Sequence, residues 1–347
     1  MASEIERRKR AHIDTVLQED VGAKGVTTGF EQLYFDHVAL PEIDLDAIDT
    51  RCEIFGKSLA VPLLIPSMTG GTDIARDINQ HLAEAAQELG IAMGVGSQRA
   101  AIVDPDFAHT FQVRSVAPDI LLFANLGAVQ FNYGFTVDDA RKAVEMIEAD
   151  ALFLHLNPLQ EAVQAEGDRD WTGVLAKIGD LSKALDVPLV VKEVGNGISA
   201  ALARRLIDVG VAGIDVAGAG GTSWSEVEAY RQDDETQRRI AHSFAGWGIP
   251  TARALSDVRA ALPTIPVIAS GGIRTGIDAA KAVRLGADLV GMAAPALGSA
   301  TETAKAVQNS MSAVAEELKI AMFCTGSRDI GALRQAALLR TADGSTL

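Results

Sequence analysis

Ile265-Pro266-Val267-Ile268-Ala269-Ser270 leads directly into Gly271-Gly272-Ile273-Arg274. The first half is a short, mainly apolar run, which is typical of a strand buried on both faces of a parallel sheet. The second half is a glycine turn whose backbone N–H groups, together with the start of a following helix, can approach an anion. A strand that ends in such a turn is a building unit of parallel α/β folds.

Eight apolar runs of this kind occur along the chain. Amphipathic stretches separate them, and in one of these stretches Ile74, Ile78 and Leu82 lie at helical spacing. Several stretches end in a glycine that can turn the chain back onto the sheet, for example Gly90. Eight strand–helix units predict a closed (β/α)8 barrel. The runs are residues 61–66, 91–95, 120–125, 151–156, 187–192, 212–216, 265–270 and 287–292.

A doubly wound open sheet is the alternative fold. Its usual signature is Gly-x-Gly-x-x-Gly after the first strand, with an acidic residue ~20 positions later. Here the first run continues into Ser67-Met68-Thr69-Gly70-Gly71, which lacks that spacing. The sequence therefore predicts an α/β protein built on a (β/α)8 TIM barrel.

Three segments extend this barrel. Residues 1–60 form an N-terminal extension with an arm that can reach a substrate, residues 61–311 form the barrel, and residues 312–347 form a C-terminal helix and tail. A long loop insertion, from about residue 220 to about residue 253, follows the sixth strand. Long loops of this kind commonly serve as lids or binding loops.

Composition excludes several classes of protein. Hydrophobic residues make up 48% and charged residues 22% of the 347 positions, which rules out a disordered chain. The net charge of −15 disfavours binding to nucleic acid or to an anionic membrane. The two cysteines, Cys52 and Cys324, cannot build a disulfide framework, so a reducing cytoplasmic location is expected. No apolar window is long enough for a transmembrane helix.

Polar residues follow the predicted strands at their carboxyl ends, where the active sites of barrels lie. The loops after the seventh and eighth strands commonly hold a phosphate in barrels, and here they carry residues 271–274 and the pair Ala293-Ala294. A plain strand-to-helix turn is the alternative interpretation. The other polar residues at strand ends are Ser67, Thr69, Ser97, Gln98, Arg99, Asn125, His155, Asn157, Gln160, Glu161, Lys192 and Thr222.

Several of these side chains have both a chemical and a structural interpretation. Lys192 can form a Schiff base or donate to an anionic part of a cofactor, or it can be a surface lysine that extends into solvent. Asn125 suits the edge of a flavin but also suits a turn. His155 is a candidate ligand or a hydrogen-bonded core histidine. Glu161 can hold Mg²⁺ together with a substrate phosphate, or it can stabilise a helix N-terminus.

Two further groups of basic residues are candidate anion ligands. Arg99 can bind a phosphate in bidentate fashion. Arg7-Arg8-Lys9-Arg10 with His12 can form a flexible arm that reaches an anionic substrate, a nuclear-localisation-like patch, or a solvated helix face.

These residues together resemble the FMN-dependent, type 2 isopentenyl diphosphate isomerases. The resemblance extends from about residue 8 to about residue 330. Its segments are Arg8-Lys9-x-x-His12-Ile13, Pro66-Ser67-Met68-Thr69-Gly70-Gly71, Gly94-Val95-Gly96-Ser97-Gln98-Arg99, Asn125-Leu126-Gly127, His155-Leu156-Asn157 with Gln160-Glu161, Val191-Lys192-Glu193-Val194-Gly195, residues 218–224, Trp247-Gly248-Ile249-Pro250-Thr251 and Ser270-Gly271-Gly272-Ile273-Arg274-Thr275-Gly276.

The resemblance implies an enzyme that interconverts isopentenyl and dimethylallyl diphosphate with FMN, Mg²⁺ and NADPH as reductant. It also implies a cytoplasmic homo-oligomer, a tetramer or octamer. The implied FMN contacts are Ser67, Met68, Thr69, Ser97, Asn125, Lys192, Thr222, Gly272, Ile273, Arg274, Ala293 and Ala294. The implied substrate contacts are Arg8, Lys9, His12, Ser97, Gln98, Arg99, His155, Asn157 and Gln160, with Glu161 on the metal. Gln160, His155 and Lys192 are the implied catalytic residues.

The reaction class agrees with the residues. A 1,3-proton shift needs an acid that protonates an unactivated alkene, and none of these side chains is acidic enough. A cofactor explains this gap, and the resemblance implies that reduced FMN is the proton donor and acceptor. Lys192 then has an electrostatic role and Gln160 a positioning role, while the deprotonating base stays open.

Two alternatives remain at this point. A flavin oxidoreductase of the 2-hydroxy-acid oxidase type shares the barrel and the phosphate site, but it requires a His-x-x-Arg pair. His242 is followed by Ser243, Phe244 and Ala245, so that arginine is missing. A non-catalytic barrel that acts as a scaffold or ligand-binding module is the other alternative.

Overall fold

The computed structural model describes residues 11, 12 and 14–340. Arg8 and Lys9, predicted to contact the substrate, lie outside the described residues. Within the described ranges the strands are β1 (Leu33–Phe35), β2 (Cys52–Ile54), β3 (Lys57–Leu59), β4 (Leu63–Ile65), β5 (Ala92–Gly94), β6 (Leu122–Gly127), β7 (Ala151–Leu156), β8 (Leu189–Glu193), β9 (Gly213–Asp215), β10 (Val267–Ala269), β11 (Leu289–Gly291) and β12 (Leu338–Arg340).

Eight consecutive strands, β4 to β11, form a closed parallel barrel. Each strand pairs with the next one along the chain, and β11 closes the barrel on β4 by placing Val290 opposite Leu63. The predicted (β/α)8 fold is confirmed, and each of the eight predicted runs contains one of these strands or overlaps it. The run 151–156 matches β7 in full.

Helices connect the strands and surround the barrel. The capping pair Thr136 and Asp139 begins the helix after β6, where the Asp139 carboxylate accepts the Thr136 N–H at 2.9 Å. Gly90, with φ of 61°, ends the first helix in the left-handed conformation. The described helices are α1 (Asp73–Leu89), α2 (Arg99–Val103), α3 (Val137–Met146), α4 (Pro158–Val163), α5 (Val174–Ala184), α6 (Ala200–Asp208), α7 (Trp224–Tyr230), α8 (Glu235–His242), α9 (Thr251–Ala261), α10 (Gly276–Arg284), α11 (Ala294–Ala300), α12 (Ala304–Cys324) and α13 (Ile330–Leu333).

The lower half of the barrel interior is filled with hydrocarbon. Phe123 and Phe153 stack there with ring centroids 4.1 Å apart. The hairpin of β2 and β3 covers this end of the barrel and adds Ile54 and Leu59 to the same buried cluster. Part of the N-terminal extension therefore completes the barrel core, which the sequence analysis did not anticipate. The other members of the cluster are Leu64, Ala92, Leu121, Ala151, Val190, Ile268 and Leu289.

The upper half of the interior is polar. Successive side chains on a strand point to opposite faces, so the residue two positions after an inward-facing residue also faces inward. On β6, β7 and β8, and directly after β10, the residue two positions after the apolar cluster is polar. These residues are Asn125, His155, Lys192 and Ser270. Asp215, the last residue of β9, lies beside Lys192. We call these five residues the polar layer, and all of them except Asp215 form the floor of the candidate site.

The long insertion predicted after the sixth barrel strand is confirmed. Helices α7, α8 and α9 lie between β9 and β10. The N-terminal extension pairs with this insertion, because the Ser223 N–H donates to the Val21 carbonyl and the Ala23 N–H donates to the Gly221 carbonyl, each at 2.8 Å. The extension thus reaches the rim of the barrel mouth.

The C-terminal segment packs on the outside of the barrel. Helix α12 contacts α1 and α10, and β12 pairs with β1 in a small antiparallel sheet. The boundary predicted between residues 311 and 312 falls inside α12. No described helix is both long and apolar enough to cross a lipid bilayer.

We expect Phe153→Ala to lower the free energy of unfolding by about 3–5 kcal/mol, because it leaves a cavity in the close-packed lower layer. Chemical denaturation monitored by circular dichroism measures this loss. Ile320→Ala is the matched control, since Ile320 is 45% exposed on α12 and its truncation costs little. Equal losses in the two variants would show that the lower layer is not the core of the fold.

Candidate active site

Two connected cavities open above the polar layer. We call the first the glycine-turn cavity because residues 271–274 form one wall, and the second the Arg99 cavity. The two cavities adjoin each other, because both are lined by His12, Ser67, Met68, Lys192, Val194 and Trp224. The remaining predicted residues of the glycine-turn cavity are Thr69, Thr222, Gly272, Ile273, Arg274, Ala293 and Ala294. Those of the Arg99 cavity are Ser97, Arg99, Asn125, His155, Asn157, Gln160 and Glu161.

The glycine turn is built from close backbone contacts. Gly271 and Gly272 have φ of 103° and 71°, a region in which side chains are disfavoured. A Cβ on Gly272 would lie 2.5 Å from Thr28 Cγ2, and one on Gly221 would lie 2.4 Å from the Gly272 nitrogen. The turn therefore presents backbone rather than side chains to the cavity, which suits an anion such as a phosphate.

Lys192 stands where the two cavities meet. It is only 6% exposed, and its Nζ donates to the Glu193 carbonyl at 2.6 Å. The neighbouring Glu193 carboxylate accepts the backbone N–H groups of residues 194–196, while burial raises the pKa of Glu193 to about 7. These bonds hold the loop after β8, including Val194, against both cavities.

Asn125 and His155 form one hydrogen-bonded pair in the polar layer. His155 Nδ1 donates to Asn125 Oδ1 at 2.8 Å, and Asn125 Nδ2 donates to the Val95 carbonyl at 3.2 Å. Gln98, a predicted substrate contact, stabilises this pair from the side away from the cavities. Gln98 is fully buried, accepts the Asn125 N–H and donates to the Ala143 carbonyl, so its side chain is engaged away from both cavities.

A chain of amide and carboxylate groups crosses the Arg99 cavity. Asn157 Nδ2 donates to Gln160 Oε1 at 3.0 Å and to Glu161 Oε1 at 2.9 Å. Gln160 Nε2 in turn donates to Glu228 Oε1 at 2.9 Å. Asn157 thereby fixes the orientation of the Gln160 amide, and the backbone N–H of Asp168 donates to Glu161 Oε2 at 2.7 Å.

Glu228 is a site residue that the sequence analysis missed. It is 1% exposed on α7, and its carboxylate lies 3.0 Å from His12 Nε2 and accepts from Arg231. Burial acts to raise the pKa of Glu228, but His12, Arg231 and Gln160 together outweigh it and leave the pKa below its usual value. Trp224, four residues earlier, packs edge to face against the His12 ring at 5.3 Å. A helical spacing of four from Trp224 was the only sequence signal for Glu228.

Arg99 is paired with an acidic residue rather than being open to an anion. Its Nη1 lies 2.7 Å from Asp168 Oδ2, and Asp168 is a second site residue without a sequence signal. An anion that binds Arg99 must therefore compete with this carboxylate, whose side chain is 13% exposed.

Some buried polar atoms at the site have no hydrogen-bond partner among the described residues. They are Ser67 Oγ, Gln130 Oε1, Asn157 Oδ1 and Asp215 Oδ2. Buried polar atoms are almost always paired in folded proteins, so those that line a cavity indicate a polar ligand. Ser67 lies at both cavities, and Gln130 and Asn157 line the Arg99 cavity.

The described residues contain no group of three or more His, Cys, Asp or Glu side chains arranged to hold a metal. A single carboxylate such as Glu161 can still hold Mg²⁺ when substrate oxygens and waters complete the coordination. His242, which lacks the arginine of the His-x-x-Arg pair expected in an oxidase, lies 2.8 Å from Glu226 on the insertion and lines neither of the two cavities.

Comparisons with known proteins identify the family of this chain. A family model described as FMN-dependent dehydrogenase matches residues 1–105 and 135–340. An isopentenyl-diphosphate delta-isomerase from Synechocystis sp. is 58% identical over 340 residues, covering 98% of this chain and 97% of that protein. One from Stutzerimonas stutzeri is 59% identical over 334 residues, covering 96% of each.

Solved structures share the fold at low identity. A mandelate oxidase variant with (S)-mandelic acid superposes with a TM-score of 0.68 at 19% identity, covering 98% of each chain. A lactate oxidase from Pediococcus acidilactici gives a TM-score of 0.66 at 20% identity, covering 96% of this chain and 91% of that one. These likenesses show the barrel architecture and nothing finer.

We expect Asp168→Asn to tighten the binding of inorganic diphosphate by about fivefold or more, because Arg99 then no longer has to leave a partly buried carboxylate, and even an exposed ion pair contributes up to ~1 kcal/mol. Isothermal titration calorimetry measures this affinity.

Asp170→Asn is the control for this experiment. It removes the same charge two residues away, where Asp170 bonds the Thr172 N–H and not Arg99. Unchanged or weaker binding in Asp168→Asn would show that Arg99 does not bind the anion.

Proposed function

Because the chain belongs to the family of FMN-dependent isopentenyl-diphosphate delta-isomerases, we propose that it interconverts isopentenyl and dimethylallyl diphosphate. FMN binds in the glycine-turn cavity and the diphosphate substrate binds in the Arg99 cavity. The observation that carries the proposal is the meeting of the two cavities at Lys192 and Ser67. Ligands bound in the two cavities would therefore lie next to each other.

The residues of the glycine-turn cavity fit FMN. The backbone turn at 271–274, with Ala293 and Ala294 beside it, is suited to the FMN phosphate, as the close glycine contacts indicate. Ser67 Oγ, which lacks a partner among the described residues, is suited to the polar edge of the flavin ring. When bound and reduced, FMN supplies the acid and base that the alkene requires and that the side chains of this site lack.

The Arg99 cavity supplies the diphosphate contacts. Arg99 and Ser97 lie on its wall, and Glu161 is 5% exposed there with its carboxylate oriented by Asn157. In the proposal Arg99 pairs with the diphosphate, and Glu161 would hold a Mg²⁺ ion that offsets the negative charge of the diphosphate. The arm with Arg8 and Lys9 is assigned to the same diphosphate.

The side chains between the two ligands orient the substrate hydrocarbon and exclude water. Gln160 has a fixed amide because its Oε1 accepts from Asn157 and its Nε2 donates to Glu228. Trp224 and His12 cover the cavity from the insertion and the N-terminal extension. We assign Gln160 and His155 to the positioning of the reacting carbon atoms, and Lys192 to the stabilisation of charge beside the flavin.

The proposal also includes the reductant and the assembly. NADPH is the proposed reductant of FMN, although no net oxidation of the substrate occurs. A cytoplasmic homo-oligomer, a tetramer or octamer, is proposed from the same family membership.

An anaerobic assay with purified protein tests the proposed function. Isopentenyl diphosphate is incubated with Mg²⁺, FMN and NADPH, and dimethylallyl diphosphate is quantified, with parallel samples that lack FMN or NADPH. We expect product only in the complete mixture. A bound flavin spectrum without product, together with flavin reduction by a 2-hydroxy acid, would transfer the assignment to the oxidase alternative.

We expect Gly272→Ala to lower FMN affinity by at least tenfold, because the added Cβ meets Thr28 and the backbone of Gly220 at 2.5–2.7 Å. Quenching of FMN fluorescence on titration with protein measures the affinity. Gly298→Ala is the matched control, since a Cβ at Gly298 on α11 meets nothing within 4 Å. Unaltered affinity in Gly272→Ala would place the FMN phosphate elsewhere.

A further inference from the structure

Asp215 is a buried acid that the proposed reaction leaves without a role. It ends β9 with no exposed surface. Its Cα pairs with Lys192 on one side of the strand and with Ile268 on the other. It lines neither of the two cavities, so it sits in the polar layer one step beneath the cavity floor.

The hydrogen bonds to Asp215 reach one oxygen of its carboxyl group. Its Oδ1 accepts the Ser270 hydroxyl at 2.7 Å and the Ala217 N–H at 3.2 Å. Oδ2 has no hydrogen-bond partner among the described residues, so the charge of Asp215 depends on the balance between its burial and the neighbouring Lys192. Burial raises the pKa of Asp215, and the charge of Lys192 together with the Ser270 bond opposes that rise.

Lys192 has capacity for a second interaction. An ammonium group carries three N–H donors, and Glu193 accepts one of them in this structure. The strand register brings the Lys192 and Asp215 backbones side by side on adjacent strands. Two opposite charges in a buried layer interact strongly, because water screens them little.

We propose that Asp215 is the counter-charge and positioning residue of Lys192, and that it limits the positive field that Lys192 exerts on the flavin. This inference rests on the proposed FMN site. The pair is close to neutral as a unit, so the flavin next to it experiences a weaker positive field than a lone lysine would create. Reduced flavin carries more negative charge than oxidised flavin, so the midpoint potential of bound FMN reports this field.

The experiment measures that potential in the FMN-loaded protein by anaerobic equilibration with a reference dye. Asp215→Asn keeps the shape and removes the charge, so we expect reduced FMN to gain at least tenfold in binding relative to oxidised FMN. That gain corresponds to an upward shift of about 30 mV for a two-electron couple. Lys192→Met is expected to shift the potential downward, and the double variant to lie between the two.

Two controls separate charge from other effects. Ser270→Ala removes the hydrogen bond to Asp215 without removing the charge. We expect the affinity for reduced FMN relative to oxidised FMN to change less than threefold in this variant. Asp186→Asn makes the same charge change at an exposed turn before β8, at the opposite end of the barrel, and no shift is expected.

A flavin-free measurement covers the case in which Asp215→Asn does not fold. Lys192→Met leaves a buried carboxylate without its counter-charge, so removing both charges restores stability. The urea midpoint of the double variant is therefore expected to exceed that of Lys192→Met. A double variant less stable than Lys192→Met would overturn the pairing.

The outcomes of the potential measurement are distinct. An unchanged potential in Asp215→Asn would show a neutral acid and overturn the inference, as would a downward shift like that of Lys192→Met. Failure of the wild-type protein to bind FMN would instead overturn the proposed function, while the urea comparison would still decide the pairing.

Discussion

The core and the site of this protein both depend on the alternation of side-chain direction along eight short barrel strands. Within a step of two residues, the barrel interior changes from hydrocarbon to polar groups, as from Phe153 to His155 or from Val190 to Lys192. The lower layer supplies the close-packed core, and the upper layer supplies the floor of the site. Since both layers share the same strands, the packing of the core also positions the floor of the site.

Two hydrogen-bonded pairs form within the buried polar layer. Asn125 pairs with His155 and Asp215 pairs with Ser270, because an unpaired buried polar group costs about 1–3 kcal/mol. Lys192 lies between these pairs at the junction of the two cavities. The layer thus places Lys192 where the two cavities meet, while the glycine turn and Arg99, the anion sites of the proposed function, lie at the outer ends.

The sequence alone was sufficient to predict the barrel and the position of the polar residues at the strand ends. Apolar runs report burial on both faces directly, and strand polarity places the following residues at one end of the barrel. Glu228 and Asp168 could not be predicted from the sequence, because they lie on an insertion helix and on a loop, and tertiary packing alone brings them to the site. Asp215 followed the same two-residue alternation as Lys192 and could have been found from it. Gln98 was predicted to contact the substrate because it follows β5, but its side chain accepts a hydrogen bond from the Asn125 N–H instead of lining a cavity.

A crystal structure of the protein with FMN and isopentenyl diphosphate is the most direct test of this account. We expect the FMN phosphate at the 271–274 turn, the flavin ring beside Lys192 above the polar layer, and the diphosphate beside Arg99 and Glu161. A flavin phosphate bound at Arg99, or a flavin ring that does not contact Lys192, would contradict it.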